Sequence, residues 1–253
     1  RHFGSRIAFG PDGKLYVIDA GAHVIAFDAA SGSRLWQTSL PAEGNGRALF
    51  GGGVSVLGDR LFASTGVGDV VALDAANGNI LWKKQPGGPL RGAPTLENGH
   101  VYVMGQDNQI FALNQSDGAT QWTDSGTLQV TGIFGVAAPA AGQGTVIAGY
   151  SSGEISAYRY ENGRSLWGDA LSRTSISTAV ATLTDIDADP VIDRGRVFAI
   201  GQVYVLFSRA TDPVHLALVG RPLGPLGRAL RDRGRHRRGD LVHAPRDREE
   251  HVP

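Results

Sequence analysis

Four tryptophans recur at near-equal intervals, and this repetition sharply limits what the chain can fold into. Trp36, Trp82, Trp122 and Trp167 lie 46, 40 and 45 residues apart. Four residues before each stands a glycine: Gly32, Gly78, Gly118 and Gly163. Ten residues before each stands an alanine: Ala26, Ala72, Ala112 and Ala157. The matching segments read VIAFDAASGSRLW, VVALDAANGNILW, IFALNQSDGATQW and ISAYRYENGRSLW. Twenty-one residues before each tryptophan come Leu15, Leu61, Val101 and Val146, inside KLYVI, RLFAS, HVYVM and TVIAG.

The third copy divides cleanly into strands and turns. PTL (94–96) is a short first strand, ENG a turn, and HVYVMG (100–105) a second strand with alternating apolar positions. QDN turns the chain into QIFALN (109–114), and QSDG leads into TQWT (120–123). Such short turns leave no room for crossover helices, so the strands pair antiparallel. Four-stranded sheets repeated every ~40–50 residues are propeller blades; solenoid repeats are shorter or helical. The expected fold is therefore all-β, a partial β-propeller of about four and a half blades.

The repeated residues have structural work to do. The indoles fill the space between neighbouring blades, the alanines fit where sheets converge, and the Asx-Gly turn sets hairpin register. Asp28 and Asp74 look like acid catalysts, but the same slot holds Asn114 and Arg159. They read instead as turn-capping residues. A fifth unit starts with DPVIDRGRVFAIG (189–201), in which Val197 corresponds to Val146. Its Ala, Gly and Trp would fall at 208, 214 and 218, where the chain has Ser208, Val214 and Leu218.

Composition divides the chain at that point. Residues 1–202 carry 14 Lys and Arg against 18 Asp and Glu, whereas 203–253 carry 10 Arg against 6 acids and no lysine. The expected organisation is blades over 1–202 and a non-homologous Arg-rich tail over 203–253. Three readings fit the tail: a basic segment for RNA or anionic lipid, a disordered linker, or translation in a shifted frame. Its abrupt start inside a blade favours the last. RDRGRHRRGD lacks the interleaved aromatics of a stacking surface, and the acidic body gives no electrostatic attraction for nucleic acid, so no such partner is expected.

Catalytic and metal motifs are not evident. The 253 residues include no cysteine, which removes thiolate chemistry and Cys-ligated metals. His2, His23 and His100 have no metal spacing, and no GxSxG elbow is present. GGG at 51–53 precedes the strand VSVL rather than a helix, so it is expected to let an interblade connector bend. The chain starts at Arg1 with Met104 as its one methionine, so its start carries no information about export. No catalytic residue, cofactor or metal ligand is expected.

The connectors between blades are more informative. From Trp122 to Pro139 the chain spends 17 residues, and from Trp167 to Pro190 it spends 23, against 12 from Trp82 to Pro94. Long loops on a rigid scaffold are where binding concentrates. Both join the last strand of one blade to the first of the next and emerge side by side on one face. The first offers Leu128, Ile133 and Phe134; the second offers Asp185, Asp187 and Asp189. Apolar anchors beside carboxylates suit a basic, partly apolar protein partner. Alternatively, Ile133 and Phe134 tuck under a blade while the aspartates satisfy loop amides. A calcium site is a third reading, weakened because the DxDxD pattern lacks an EF-hand glycine and glutamate.

The ALDAxxGxxLW repeats, RGAPTLENGHVYVMGQDNQIFALN, SAYRYENGRSLW and TLTDIDADPVIDRGRVFAI resemble the BamB family over about residues 7–202, its alphaproteobacterial branch most closely. The resemblance implies an eight-bladed propeller on the periplasmic face of the outer membrane. It implies a non-enzymatic lipoprotein subunit of the BAM complex, docked on the POTRA domains of BamA, with unfolded outer-membrane proteins as further partners. Membrane contact would run only through a lipid anchor on a cysteine absent from this chain. By similarity, Asp185 and Asp187 match interface aspartates of one connector. Thr131, Ile133 and Phe134 match an apolar–apolar–Arg cluster of the other, with Phe134 in the arginine position. The competing resemblance is to dehydrogenases that use pyrroloquinoline quinone, which share Trp-bearing blades but carry adjacent cysteines and carboxylate calcium ligands.

Overall fold

The computed structural model describes residues 7–40, 52–127, 137–170, 186, 188–200 and 205–209. Its elements are all strands, gathered into separate antiparallel sheets. The first blade comprises β1 (Ile7–Phe9), β2 (Lys14–Ile18), β3 (His23–Asp28) and β4 (Arg34–Ser39). The second comprises β5 (Gly52–Leu57), β6 (Arg60–Thr65), β7 (Val70–Asp74) and β8 (Ile80–Lys84). The third comprises β9 (Leu90–Glu97), β10 (His100–Gly105), β11 (Gln109–Asn114) and β12 (Thr120–Ser125). The fourth comprises β13 (Ala140–Gly142), β14 (Thr145–Gly149), β15 (Glu154–Arg159) and β16 (Ser165–Ala170). In each, sequence neighbours pair in simple up-and-down order. This is the expected all-β partial propeller, with the third copy's second and third strands on their predicted residues and its first strand reaching back to Leu90.

The sheets of the second, third and fourth blades are buried on both faces, and the two-residue period of a strand explains how. Leu61 and Ala63 of β6 pack with Tyr16, Ile18 and Val24 of the first blade. Phe62, between them, points the other way and packs with Val101, Val103 and Leu113 of the third. The same partition recurs at the next interface, where Tyr102, Met104 and Ile110 meet Val146, Ala148 and Tyr158. Burial of each such side chain is worth ~1.5–3 kcal/mol, so the core is a stack of interblade layers rather than one centre.

The repeat motif makes a joint between blades. In all four complete blades the alanine pairs with the tryptophan, Ala26 with Trp36 through Ala157 with Trp167, and the register slips immediately afterwards. The extra residue of this bulge is the leucine of the Leu-Trp pairs; Leu35, Leu81 and Leu166 are accordingly exposed. The indole then reaches the next blade. Nε1 of Trp36 donates to Ala75 O at 3.2 Å, Trp82 to Gln115 O at 3.0 Å, and Trp122 to Tyr160 O at 2.8 Å. Each acceptor directly follows the turn-opening residue of the neighbouring blade: Asp74, Asn114 or Arg159.

Those turns close in one way whatever side chain opens them. Gly78 N donates to Asp74 O, Gly118 N to Asn114 O and Gly163 N to Arg159 O, all at 2.8–3.0 Å. The Asp28 carboxylate accepts from the amides of Ala30 and Ser31, and that of Asp74 accepts from Ala76 N. The Ser31 amide and hydroxyl hold the Asp28 carboxyl below its usual range. These two aspartates thus sit as turn caps.

Two details differ from the sequence reading. Gly52 and Gly53 form the start of strand β5, not a bend in a connector. A side chain at Gly53 would meet the Ala93 backbone of the next blade at 2.8 Å, so this glycine lets adjacent first strands close on each other, whereas one at Gly52 would meet the Ser64 carbonyl of β6 in its own blade. The first strands also bond directly, Ser55 Oγ to Pro94 O at 2.6 Å and Thr95 Oγ1 to Pro139 O.

The second difference lies in the last sheet, of β17 (Val191–Asp193), β18 (Arg196–Ile200) and β19 (Val205–Arg209). β19 pairs antiparallel with β18 and falls within the segment assigned from composition to the tail. Its register puts Phe207 opposite Phe198 and Ser208 opposite Val197. In the earlier blades the residue opposite that second-strand position is alanine, as in Tyr102 with Ala112. The hairpin here is one residue shorter, so the register position held by alanine in the earlier blades falls on Phe207. The rest of the tail lies outside the described residues.

Candidate partner-binding connectors

The five residues marked for partner binding, Thr131, Ile133, Phe134, Asp185 and Asp187, lie outside the described residues. The structure does describe where their connectors leave and rejoin the blades. Both are tied to one place, the hairpin turn between β14 and β15.

The first connector departs at Gly126 and Thr127. Gly126 N donates to Asn108 O at 2.8 Å, and Asn108 Nδ2 donates to Thr127 O at 2.8 Å. Asn108 is buried and left-handed, with φ of 60°, a conformation that asparagine tolerates better than most side chains. Its side-chain oxygen accepts from Ser151 Oγ at 2.8 Å and Ser151 N at 3.2 Å in the next blade. Glu154 completes the clasp: its carboxylate accepts from Thr127 N at 2.9 Å, Thr127 Oγ1 at 2.8 Å and Ser152 Oγ at 2.8 Å. Partial burial would raise the Glu154 pKa, but these three donors outweigh it and hold the carboxyl below the usual glutamate value.

Under this clasp lies a buried tyrosine pair. Tyr150 and Tyr158 share a hydroxyl hydrogen bond of 2.7 Å. Burial pushes both phenols upward in pKa, so they stay neutral. Gly126 rests on the Tyr150 ring, where a Cβ would meet Cγ and Cδ1 at 2.7 Å.

The second connector returns at Ile186, the residue between the two candidate aspartates. Ile186 is 3% exposed and packs with Ile147, Ile155 and Val197. Its amide donates to Tyr150 O at 3.3 Å, and its Cγ2 occupies the space a side chain at Gly149 would need. Farther on, the Asp189 carboxylate accepts from Ala138 N at 2.6 Å, joining the end of one connector to the end of the other. Of the three aspartates in this run, the described one satisfies a loop amide.

Sequence reasoning passed over Asn108, Glu154 and Ile186. A signal for Asn108 existed, since asparagine in a tight turn favours positive φ. Glu154 and Ile186 gave none, because their partners lie 27 and 36 residues away. Among the described residues, no group of three or more His, Cys, Asp or Glu could hold a metal ion. None of the described residues forms a helix long and apolar enough to cross a membrane.

The family model described as outer membrane protein assembly factor BamB matches residues 1–50 and 20–222. The BamB of Yersinia pestis is 31% identical over 191 residues, which are 74% of this chain and 49% of that protein. The chain spans about half the length of the curated relatives it matches. The crystal structure of BamB from Moraxella catarrhalis superposes with a TM-score of 0.70 at 22% identity, covering 83% of this chain and 64% of that one. The quinohemoprotein alcohol dehydrogenase of Comamonas testosteroni superposes with a TM-score of 0.63 at 15% identity, covering 85% of this chain and 42% of that one. Both superpositions speak to the fold.

Proposed function

This chain belongs to the BamB family of outer membrane protein assembly factors, and we propose that it is a non-enzymatic scaffold subunit of the outer-membrane β-barrel assembly machinery, the BAM complex. It works on the periplasmic face of the outer membrane, anchored by lipid. The connectors after β12 and β16 grip the POTRA domains of BamA, and unfolded outer-membrane proteins are a second class of ligand. Asp185 and Asp187 supply charge for a basic partner surface. Thr131, Ile133 and Phe134 supply an apolar patch, in which Phe134 acts as an aromatic anchor where the resemblance leads one to expect an arginine.

The observation that supports this reading most directly is the junction of the two connectors. Thr127 and Ile186 are both held by the Tyr150–Glu154 turn, and Ala138 is tied to Asp189. Loops that diverge from a fixed corner of a rigid sheet stack lose little entropy on binding. The likeness to the alcohol dehydrogenase, by contrast, is one of fold and carries no chemistry.

A pull-down with the purified POTRA domains of BamA tests the reading. The parent chain is expected to retain them, and Asp185→Arg combined with Asp187→Arg is expected to lose them. Retention by the double variant would overturn the site assignment; failure of the folded parent to bind would overturn the partner.

A further inference from the structure

The turn between β14 and β15 contacts both connectors, and its contacts are of two kinds. Toward the first connector it presents polar groups: Ser151 to Asn108, and Glu154 to the amide and hydroxyl of Thr127. Toward the second it presents the Tyr150 carbonyl for the Ile186 amide and, at Gly149, a bare backbone that the Ile186 side chain fills. Tyr150 belongs to both halves, since its ring supports Gly126 while its carbonyl holds Ile186. Five residues therefore stand between two loops that also meet where the Ala138 amide donates to Asp189.

The short connector between the second and third blades is held differently. There Gln106 N donates to Pro89 O at 2.8 Å and Gln85 Nε2 to Val67 O at 3.0 Å. Both of these bonds join neutral groups, and each ties the connector to one turn. A buried asparagine bridging two blades and a carboxylate with three donors make a stiffer attachment, because charge-assisted bonds are stronger than neutral ones.

We propose that the Tyr150–Glu154 turn is a brace shared by the two connectors, and that Asn108 and Glu154 are positioning residues for the partner-binding surface. The proposal rests on the connectors being that surface. Neither residue need touch the partner. Loosening the brace at Thr127 shifts Tyr150, and the shift is felt at Ile186, between Asp185 and Asp187. The apolar patch and the aspartates then act as one unit rather than two independent contacts.

Two measurements on the full chain separate the brace from the partner. The first is amide hydrogen exchange in the free chain, which needs no partner. Glu154→Ala is expected to speed exchange about tenfold at Thr127 and at Ile186, with Val101 and Ile147 in neighbouring strands unchanged. Acceleration at Thr127 alone would overturn the shared brace. The second is the Kd for the POTRA domains of BamA. Glu154→Ala is expected to weaken binding roughly tenfold, with Glu154→Gln intermediate because its amide oxygen still accepts one bond from Thr127. Non-additivity between Phe134→Ala and Asp185→Ala is expected in the parent and lost in the Glu154→Ala background. An unchanged Kd in a folded Glu154→Ala chain would overturn the positioning role. Should that variant fail to fold, Ser151→Ala, which removes only the hydroxyl on Asn108, carries the same two readouts. If the parent binds no POTRA domain, the partner reading falls, while the exchange experiment still decides the brace.

Discussion

Gly118 lies flat against the indole of Trp82: a Cβ placed on it would stand 2.7 Å from Cε3 and 2.9 Å from Cζ3 of the ring. Gly78 meets Trp36 and Gly163 meets Trp122 in the same way. The motif glycine is therefore both a left-handed turn residue and the floor on which the preceding blade's tryptophan rests.

Alanine substitution separates these two duties. Gly32 has φ of 71° and nothing within 4 Å of its would-be Cβ, whereas Gly118 has φ of 72° and the Trp82 ring in the way. Gly32→Ala should cost ~1–2 kcal/mol for the left-handed backbone alone. Gly118→Ala should cost that plus ~1–3 kcal/mol for overpacking. Urea midpoints of the two variants measure the difference; equal shifts would mean that the indole moves aside freely.

The tryptophan side of the joint has a polar and an apolar part. Trp122→Phe keeps most of the ring but leaves the Tyr160 carbonyl without its 2.8 Å donor, for an expected loss of ~1–3 kcal/mol. Trp122→Ala also removes the buried ring and should lose ~3–5 kcal/mol. The ratio of the two, read from denaturant unfolding, reports how much of the joint is hydrogen bond.

Acid should loosen the corner where the connectors meet. The Glu154 carboxyl is held below the usual glutamate value of 4.5 in the folded chain, because the donors on Thr127 and Ser152 outweigh the opposing effect of burial. A carboxyl lowered on folding contributes stability in full above its unfolded value, and that stability is lost as pH falls through the folded one. Tm recorded from pH 7 downward should fall below about pH 4.5 in the parent. Glu154→Gln should start from a lower Tm and show a shallower fall in that window.

A direct assay addresses the dehydrogenase alternative. Addition of pyrroloquinoline quinone and calcium, with a primary alcohol and an artificial electron acceptor, is expected to give no acceptor reduction above a no-protein control. Turnover that depends on the chain would replace the scaffold reading.

The blade itself was legible because its signals are local. Alternation fixed HVYVMG as β10 and QIFALN as β11, and the Asn-Gly pair at 98–99 marked a turn with φ of 49° and 76°. Contacts between blades were not legible. Gly118 was readable as a turn residue four positions before Trp122, yet the ring it touches is Trp82, in the repeat before. Gly53 reads as a connector residue because the clash it avoids is with Ala93, about forty residues on. At the candidate site the sequence drew attention to side chains that vary in charge and bulk, but the supporting groups, Asn108 and Glu154, sit in ordinary hairpin turns. Repetition cannot single them out, since what matters about them is how they differ from their counterparts.

The joint between blades has a direction. The indoles of Trp36, Trp82 and Trp122 each bond from their own sheet to the following one, so the stack has a head and a tail as a polymer of identical monomers does. Losing a ring weakens the bond to the successor, and crowding a glycine weakens the bond to the predecessor. A defect of either kind is confined to a single seam, and its position in the chain tells which pair of sheets will part first.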